Sequence, residues 1–171
     1  MSKSFLKQPN LPEGQILSGK VGFMGPKSAP VNPSYEDVCT GRTGHVEVYY
    51  IEFAATGEAY LEAMIRYFFS FHDPTTLNRQ GNDQGTQYSS VIFCSTPGQV
   101  DIANKVKNDL QQLINTGAAK KLYQSVRVTT DVRLISDSSP FYAAHEEHQD
   151  YLSKKPDGYC NHQLRKIPWA Q

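Results

Sequence analysis

Two amphipathic helix patterns with an apolar strand pattern between them constrain the fold of this chain more than any other feature. In Thr56–Phe71, apolar residues recur at helical spacing, and Thr56 is placed to cap the N-terminus. Tyr88–Ser95 contains a short apolar run and predicts a buried strand. Thr96 and the proline after it predict the start of the second helix, which Gly117 ends. This order of elements predicts helices that pack against a sheet.

Further strand and turn patterns surround this unit. We predict strands over Gln15–Phe23, His45–Phe53 and Ser125–Ile135, a helical turn over Tyr35–Cys39, a turn at Pro140–Tyr142 and a last helix over Ala144–Lys154. Four strands and two long helices, partly in β-α-β order, predict an α+β or α/β sandwich. Residues 1–14 are predicted to form an irregular N-terminal segment. The tail from Tyr159 onward has no periodicity and is predicted to be poorly ordered.

The bulk composition excludes several classes of protein. The 171 residues carry no net charge and 39% of them are hydrophobic, which suits one soluble domain with its own core. No dense run of Lys and Arg can follow a nucleic-acid backbone, and no apolar run approaches the ~20 residues that cross a bilayer. The N-terminus lacks the apolar segment of a secretory signal. Three cysteines without a close pair predict a reducing compartment, and we expect the cytoplasm.

A polar segment joins the first helix to the strand after it. His72–Tyr88 follows neither a helical nor a strand period, and its length is unusual for a connection within a compact domain. Its side chains offer many hydrogen-bond donors and acceptors, and Gly81 and Gly85 allow tight turns. We interpret the segment as a binding loop, with an ordinary hydrogen-bonded loop as the alternative.

One carboxylate occupies an unusual place in the second strand. Strand alternation puts Glu47 on the same face as Tyr49, Ile51 and Phe53. Burial there would raise the pKa of Glu47 and make it a protonated donor and general acid. The alternative is an edge strand on which Glu47 faces water. Tyr35 and Tyr88 follow the two loop regions and could project into one cleft, or pack with their hydroxyl groups at the surface.

Histidines and cysteines give weaker signals. His145 and His148 flank two glutamates three residues apart, which is not the HExxH zinc pattern, so we expect no metal site. His148 and Tyr151, also three residues apart, could line a site as hydrogen-bond partners. Cys94 lies within an apolar strand and is expected to be an inert core thiol. Cys39 could be structural or reactive, and Cys160 in the tail is the better candidate for thiol exchange.

Five spaced motifs match one known family, in the order that the family has them. They are Asn32–Cys39, Thr43–Glu47, His72–Tyr88, Glu147–Tyr151 and Gly158–Cys160. From Val21 to Cys160 the chain therefore resembles the methionine sulfoxide reductase A family, the peptide-methionine (S)-S-oxide reductases. The resemblance implies a ferredoxin-like α/β sandwich over residues 15–160, with residues 161–171 as a C-terminal tail.

The resemblance also implies an activity and roles for the matching residues. The family reduces methionine-S-sulfoxide, free or in proteins, and so repairs oxidative damage. It binds no cofactor, and thioredoxin or another dithiol is the reductant. Glu47 would be the acid, with Tyr35 and Tyr88 as oxygen donors. Asp83, His148 and Tyr151 would support them, and Cys160 would be the resolving thiol. We expect a monomer that binds neither membrane nor nucleic acid.

One departure from the family is large. Members carry Gly-Cys-Phe-Trp-Gly upstream of the strand that matches Val21–Phe23, and no cysteine precedes Cys39 here. We therefore expect the nucleophilic cysteine and the first, central strand to be missing, as in a shortened isoform of low activity. A non-catalytic module that binds oxidised methionine is the alternative. A third hypothesis is that Cys39 or Cys160 replaces the nucleophile.

Overall fold

A computed structural model describes residues 16–54, 57–155, 157–158 and 164–169. Within these ranges the strands are β1 Ile16–Met24, β2 Val46–Phe53, β3 Arg79–Gln80, β4 Asp83–Gln84, β5 Val91–Cys94, β6 Asp131–Leu134 and β7 Tyr142–Ala143. The helices are α1 Tyr35–Cys39, α2 Glu58–Phe71, α3 Pro97–Asn115 and α4 Tyr151–Lys154. Helical turns of the 3-10 type cover Thr86–Tyr88, Lys120–Leu122, Ile135–Asp137 and Glu146–His148. None of these helices is long and apolar enough to span a membrane.

Strand β1 lies at the centre of a three-stranded antiparallel sheet with the order β2-β1-β7. Val21 lies opposite Tyr49 and Phe23 lies opposite Glu47 in the pairing of β1 with β2. The pairing with β7 is short, because only Gly22 and Phe23 have partners there. This register places Glu47 beside the end of β1 that leads into the loop before α1.

Strands β5 and β6 form a separate parallel pair, connected by α3. Parallel neighbours need a long crossover connection, and a helix of 19 residues supplies it. The predicted start of this helix is confirmed, because the Thr96 hydroxyl accepts a hydrogen bond from the Gln99 N–H at 3.3 Å. The predicted β-α-β unit is therefore present. That the family's first strand is missing stays a prediction.

The main core lies between α2 and α3. Phe69, Leu110 and Ile114 are fully buried there because the apolar stripes of the two helices face each other. Residues 164–169 lie against this core. The Arg165 N–H donates to the Ser70 carbonyl at 2.8 Å, and Trp169 packs on the cluster. Residues 164–169 have no regular secondary structure but are held in place, so the prediction of a poorly ordered tail is wrong for this part.

The predicted strand over Ser125–Ile135 is wrong in its first half, because only Asp131–Leu134 pairs with a neighbouring strand. The residues before it are held by a side chain of α3. Gln111 Oε1 accepts from the Val128 N–H at 2.9 Å, and Gln111 Nε2 donates to the Val126 carbonyl at 2.8 Å. These bonds take the place of a strand ladder.

The predicted helix over Ala144–Lys154 is also wrong. The segment contains a 3-10 turn and the short helix α4, separated by Asp150, whose φ of 51° is left-handed. Part of the predicted turn at Pro140–Tyr142 belongs to β7. The predicted cap Thr56 and the predicted segment 1–14 lie outside the described residues.

Candidate active site

The polar loop His72–Tyr88 is folded rather than open. Its middle forms the β3–β4 hairpin, and its end forms the 3-10 turn Thr86–Tyr88. Tyr88 therefore lies at the end of this turn, three residues before β5. The prediction that Tyr88 opens the strand is wrong, because the turn is closed by the Tyr88 N–H donating to the Gly85 carbonyl at 3.0 Å.

A buried carboxylate anchors the start of this loop. Asp73 is 5% exposed, and its Oδ1 accepts from the Thr75 N–H at 2.9 Å and from the Thr75 hydroxyl at 2.6 Å. Its Oδ2 accepts from the Gln124 N–H at 3.0 Å. One side chain therefore satisfies three donors from two segments of chain, and it fixes where the loop leaves α2.

Tyr35 is positioned by the start of α1. Ser34 and Asp37 form a capping box, in which the Asp37 N–H donates to Ser34 Oγ at 3.1 Å. The ring of Tyr35 packs near Phe23, with ring centroids 6.4 Å apart. Val38, which belongs to the same helix, is fully buried. These contacts direct the Tyr35 ring toward β1 and β2.

The Tyr35 phenol lies among other ionisable groups. A hydrogen bond to the Cys39 thiol, together with burial, raises the pKa of Tyr35 to about 12. Charge on Cys39, Glu47 or Tyr88 acts in the same direction, because each would repel a phenolate at Tyr35. The phenol therefore stays protonated and remains a hydrogen-bond donor near neutral pH.

Glu47 is exposed and lies on β2, an edge strand of the described sheet, as the alternative interpretation expected, and its role as a general acid stays a prediction. Burial raises the pKa of Glu47, and the nearby Asp83 carboxylate raises it further. The Glu47 side chain lines a cavity together with Asp83 and Tyr88. Burial likewise raises the pKa of Tyr88, and charge on Glu47, Asp83 or Cys39 adds to this effect.

A cavity of about 350 Å³ extends from these donors into the interior. Glu47, Asp83 and Tyr88 line it together with apolar side chains of β2, α2 and β5. Tyr49, Ile51 and Phe53 pack on Tyr60 and Met64 of α2, so the predicted apolar face of β2 is confirmed. The arrangement offers protonated oxygen donors beside a largely apolar space, which suits a ligand with one strongly polar oxygen on an apolar body.

The other predicted site residues lie in different places. His148 stacks on Tyr35, with ring centroids 4.7 Å apart and an interplanar angle of 25°. Tyr151 packs instead against Gly158 and Lys155. Cys160 lies outside the described residues. In the described part of the chain, no group of three or more His, Cys, Asp or Glu side chains is arranged to hold a metal ion.

Two of the cysteines have opposite settings. Cys94 is 4% exposed, and burial raises the pKa of its thiol to about 11, which matches the expected inert core residue. Cys39 is exposed and contacts Tyr35. The role of Cys39 could not be predicted, because the local sequence pattern does not show that the end of α1 lies near Tyr88.

Gln87, in sequence only one of several polar residues of the loop, has a specific place in the structure. It is 5% exposed, its Nε2 donates to the Cys39 carbonyl at 3.2 Å, and its hydrogen bond to Tyr88 lowers the pKa of that phenol against the other effects. Gln87 therefore joins the end of α1 to the end of the polar loop. A glutamine in a polar segment gives no signal of burial, so only the tertiary structure reveals this contact.

The family model described as peptide methionine sulfoxide reductase matches residues 12–169. The chain belongs to this family. The probable peptide methionine sulfoxide reductase of Schizosaccharomyces pombe is 40% identical over 157 residues, which cover 91% of this chain and 84% of the relative. The mitochondrial peptide methionine sulfoxide reductase of Bos taurus is 39% identical over 145 residues, which cover 85% of this chain and 57% of the relative. The match thus spans just over half the length of some curated relatives.

Solved structures support the same relationship for this reductase family member. Reduced Mxr1 from Saccharomyces cerevisiae superimposes with a TM-score of 0.73 at 33% identity, over 89% of this chain and 80% of that one. Methionine sulfoxide reductase A of Corynebacterium diphtheriae superimposes with a TM-score of 0.69 at 33% identity, over 85% and 67% of the two chains. The predicted α+β fold of the methionine sulfoxide reductase A type is confirmed.

Proposed function

We propose that this chain recognises the S epimer of methionine sulfoxide, free or in proteins, as part of thioredoxin-dependent repair of oxidised methionine. The observation that carries the proposal is that Glu47 and Tyr88 line one partly apolar cavity, while the Tyr35 phenol lies close enough to both for their charges to act on it. Raised pKa values keep both phenols as hydrogen-bond donors near neutral pH, and the raised pKa of Glu47 favours its protonated, donating form. A sulfoxide has one strongly polar oxygen and otherwise apolar substituents, and this donor set matches it.

The donors also suit the reaction of the family. A thiol sulfur attacks the sulfoxide sulfur, the sulfur–oxygen bond breaks, and the oxygen leaves the substrate on the thiol as a sulfenic acid. Methionine is thereby reduced and the thiol oxidised. Oxygen gains negative charge during attack, so a proton from Glu47 and hydrogen bonds from both phenols stabilise it. A second thiol then condenses with the sulfenic acid, water leaves, and a dithiol such as thioredoxin reduces the resulting disulfide.

We expect stereoselective binding. Calorimetry should show that the full chain binds a peptide with the S epimer more tightly than one with the R epimer. Tyr35→Phe and Tyr88→Phe should each weaken binding roughly two- to tenfold, the range expected for one net hydrogen bond. Tyr67→Phe is the control, because Tyr67 packs on Phe71 and does not itself line the cavity. Equal binding of both epimers, or no binding of either, would exclude the proposal.

Turnover by the 171-residue chain is expected to be poor. Its three cysteines are Cys39, Cys94 and Cys160, and Cys94 is buried. Cys39 already contacts Tyr35, so its thiol competes with a substrate oxygen for that donor. The measurement is NADPH oxidation coupled through thioredoxin and its reductase. Rapid turnover would contradict this expectation, and Cys39→Ser and Cys160→Ser would then identify the attacking thiol. Binding without turnover instead supports the alternative of a non-catalytic module for oxidised methionine.

A further inference from the structure

Gln149 ties the segment after β7 to the central strand of the sheet. The Val21 N–H donates to Gln149 Oε1 at 2.9 Å, and Gln149 Nε2 donates to the Val21 carbonyl at 2.8 Å. Nε2 also donates to the Ala144 carbonyl at 3.0 Å. Both N–H groups and the oxygen of the amide are therefore engaged, across a separation of 128 residues.

These bonds continue the strand ladder where the backbone leaves it. Gly22 pairs with Ala143, and the Ala144 N–H donates to the Val21 carbonyl at 3.0 Å. Beyond Ala144 the chain turns away into the 3-10 turn Glu146–His148. The Gln149 amide then presents a carbonyl and an N–H to Val21, as a peptide group of a longer β7 would. The Gln149 side chain thus makes the two hydrogen bonds to Val21 that a further residue of β7 would make with its backbone.

The residue before Gln149 contacts the candidate site. The His148 ring stacks on Tyr35 at 4.7 Å, and Tyr35 is held from the other direction by the cluster around Phe23 and Val38. No strand pairing holds the described residues from 145 to 155, and Asp150 breaks their helix. The charge of Asp150 also acts on Tyr49 of β2, but the Gln149 amide makes the hydrogen bonds to β1 next to His148 and so helps to fix where the His148 ring lies.

We propose that Gln149 is a positioning residue, which locks the segment after β7 to β1 and thereby holds the His148 ring against the Tyr35 phenol. The importance of Tyr35 for sulfoxide binding rests on the proposed function, whereas the positioning of His148 does not. The effect of the Gln149 hydrogen bonds can therefore be measured both with and without a ligand.

Gln111 provides a matched control within the same chain. Its amide makes the same kind of contact, accepting from the Val128 N–H at 2.9 Å and donating to the Val126 carbonyl at 2.8 Å. Neither Gln111 nor its partners line the cavity beside Glu47. Gln149→Ala and Gln111→Ala thus remove similar bonds, and only the first removes them next to Tyr35.

The first measurement is the proton NMR spectrum of the histidine rings in the full chain. The stacked Tyr35 ring should shift the His148 ring protons upfield, and His148→Gln identifies that signal by its loss. We expect the signal to move to the position of an unstacked histidine in Gln149→Ala and to stay in place in Gln111→Ala. An unmoved signal in Gln149→Ala, or an equal movement in Gln111→Ala, overturns the proposal.

The second measurement is the affinity for a peptide that contains the S sulfoxide. Gln149→Ala should weaken binding roughly two- to tenfold, as for partial loss of one donor, while Gln111→Ala leaves it unchanged. Loss of stacking with unchanged affinity overturns the link to Tyr35. If the parent chain binds no sulfoxide, the proposed function fails, and the NMR result alone decides the positioning role. Gln149→Glu, which keeps the acceptor and the size but removes both donors when ionised, serves if the alanine variant does not fold.

Discussion

Replacing Asp73 with alanine is expected to lower the free energy of unfolding by about 3 kcal/mol or more, because a buried acceptor of three hydrogen bonds is lost. The N–H groups of Thr75 and Gln124 and the Thr75 hydroxyl would lose their acceptor inside the protein. The loop that carries Asp83 and Tyr88 would lose its anchor at the same time. Urea denaturation followed by circular dichroism measures the first effect, and sulfoxide affinity measures the second.

Asp131→Ala is the control for this prediction. Asp131 is exposed and contacts Arg133 at 2.7 Å, and ion pairs of this kind contribute about 0–1 kcal/mol. If Asp73→Ala lowers the free energy of unfolding no more than Asp131→Ala does, the buried hydrogen bonds of Asp73 do not anchor the loop.

Glu47→Gln is expected to change how both binding and stability depend on pH. Only the protonated carboxyl donates to a sulfoxide oxygen, so the affinity of the parent chain should fall by up to about tenfold for each pH unit above the pKa of Glu47. The glutamine amide keeps a donor at every pH, so the affinity of the variant should be flat over the same range. Its turnover, in contrast, should not exceed that of the parent, because an amide supplies no proton.

The sign of the stability effect follows from the raised pKa. Glu47 has a pKa of 4.5 in the unfolded chain and a higher one in the folded chain. Its contribution to stability is therefore fully present below about pH 4.5 and is lost as pH rises through the folded pKa. Glu47→Gln should therefore become more stable relative to the parent as pH rises from about 4.5 through the pKa of Glu47 in the folded chain.

Denaturation of both proteins across this pH range isolates the contribution of Glu47, because most other titrations cancel in the difference. Glu52→Gln is the control, since Glu52 lies on the same strand, is exposed, and accepts from the Ser18 hydroxyl at 2.6 Å. A constant stability difference between parent and Glu47→Gln would mean that the carboxyl is not held in its protonated form.

The parts of the site that depend on local periodicity could be predicted from the sequence. Alternation along one strand was sufficient to place Glu47 with Tyr49, Ile51 and Phe53, because every second side chain of a strand shares a face. The helical turn that begins at Tyr35 also follows from nearby residues, which cap it. These features need no knowledge of which strands are neighbours.

The parts that depend on contacts between distant segments could not be predicted. The helix expected over Ala144–Lys154 is interrupted at Asp150, and the neighbouring Gln149 bonds instead to Val21, more than a hundred residues away. The strand expected from Ser125 starts only at Asp131, because Gln111 holds the residues in between. In both segments a side-chain amide replaces a backbone partner, and local propensity contains no information about that exchange.

The hydrogen bond from Tyr35 to Cys39 has a consequence for any affinity that is measured. A phenol has one proton and can donate it to one acceptor at a time. Under the proposed function, a sulfoxide oxygen that accepts from Tyr35 would take the place of the Cys39 sulfur, so binding would exchange one partner for another. The dissociation constant of a sulfoxide would then report how much better an acceptor its oxygen is than the Cys39 sulfur.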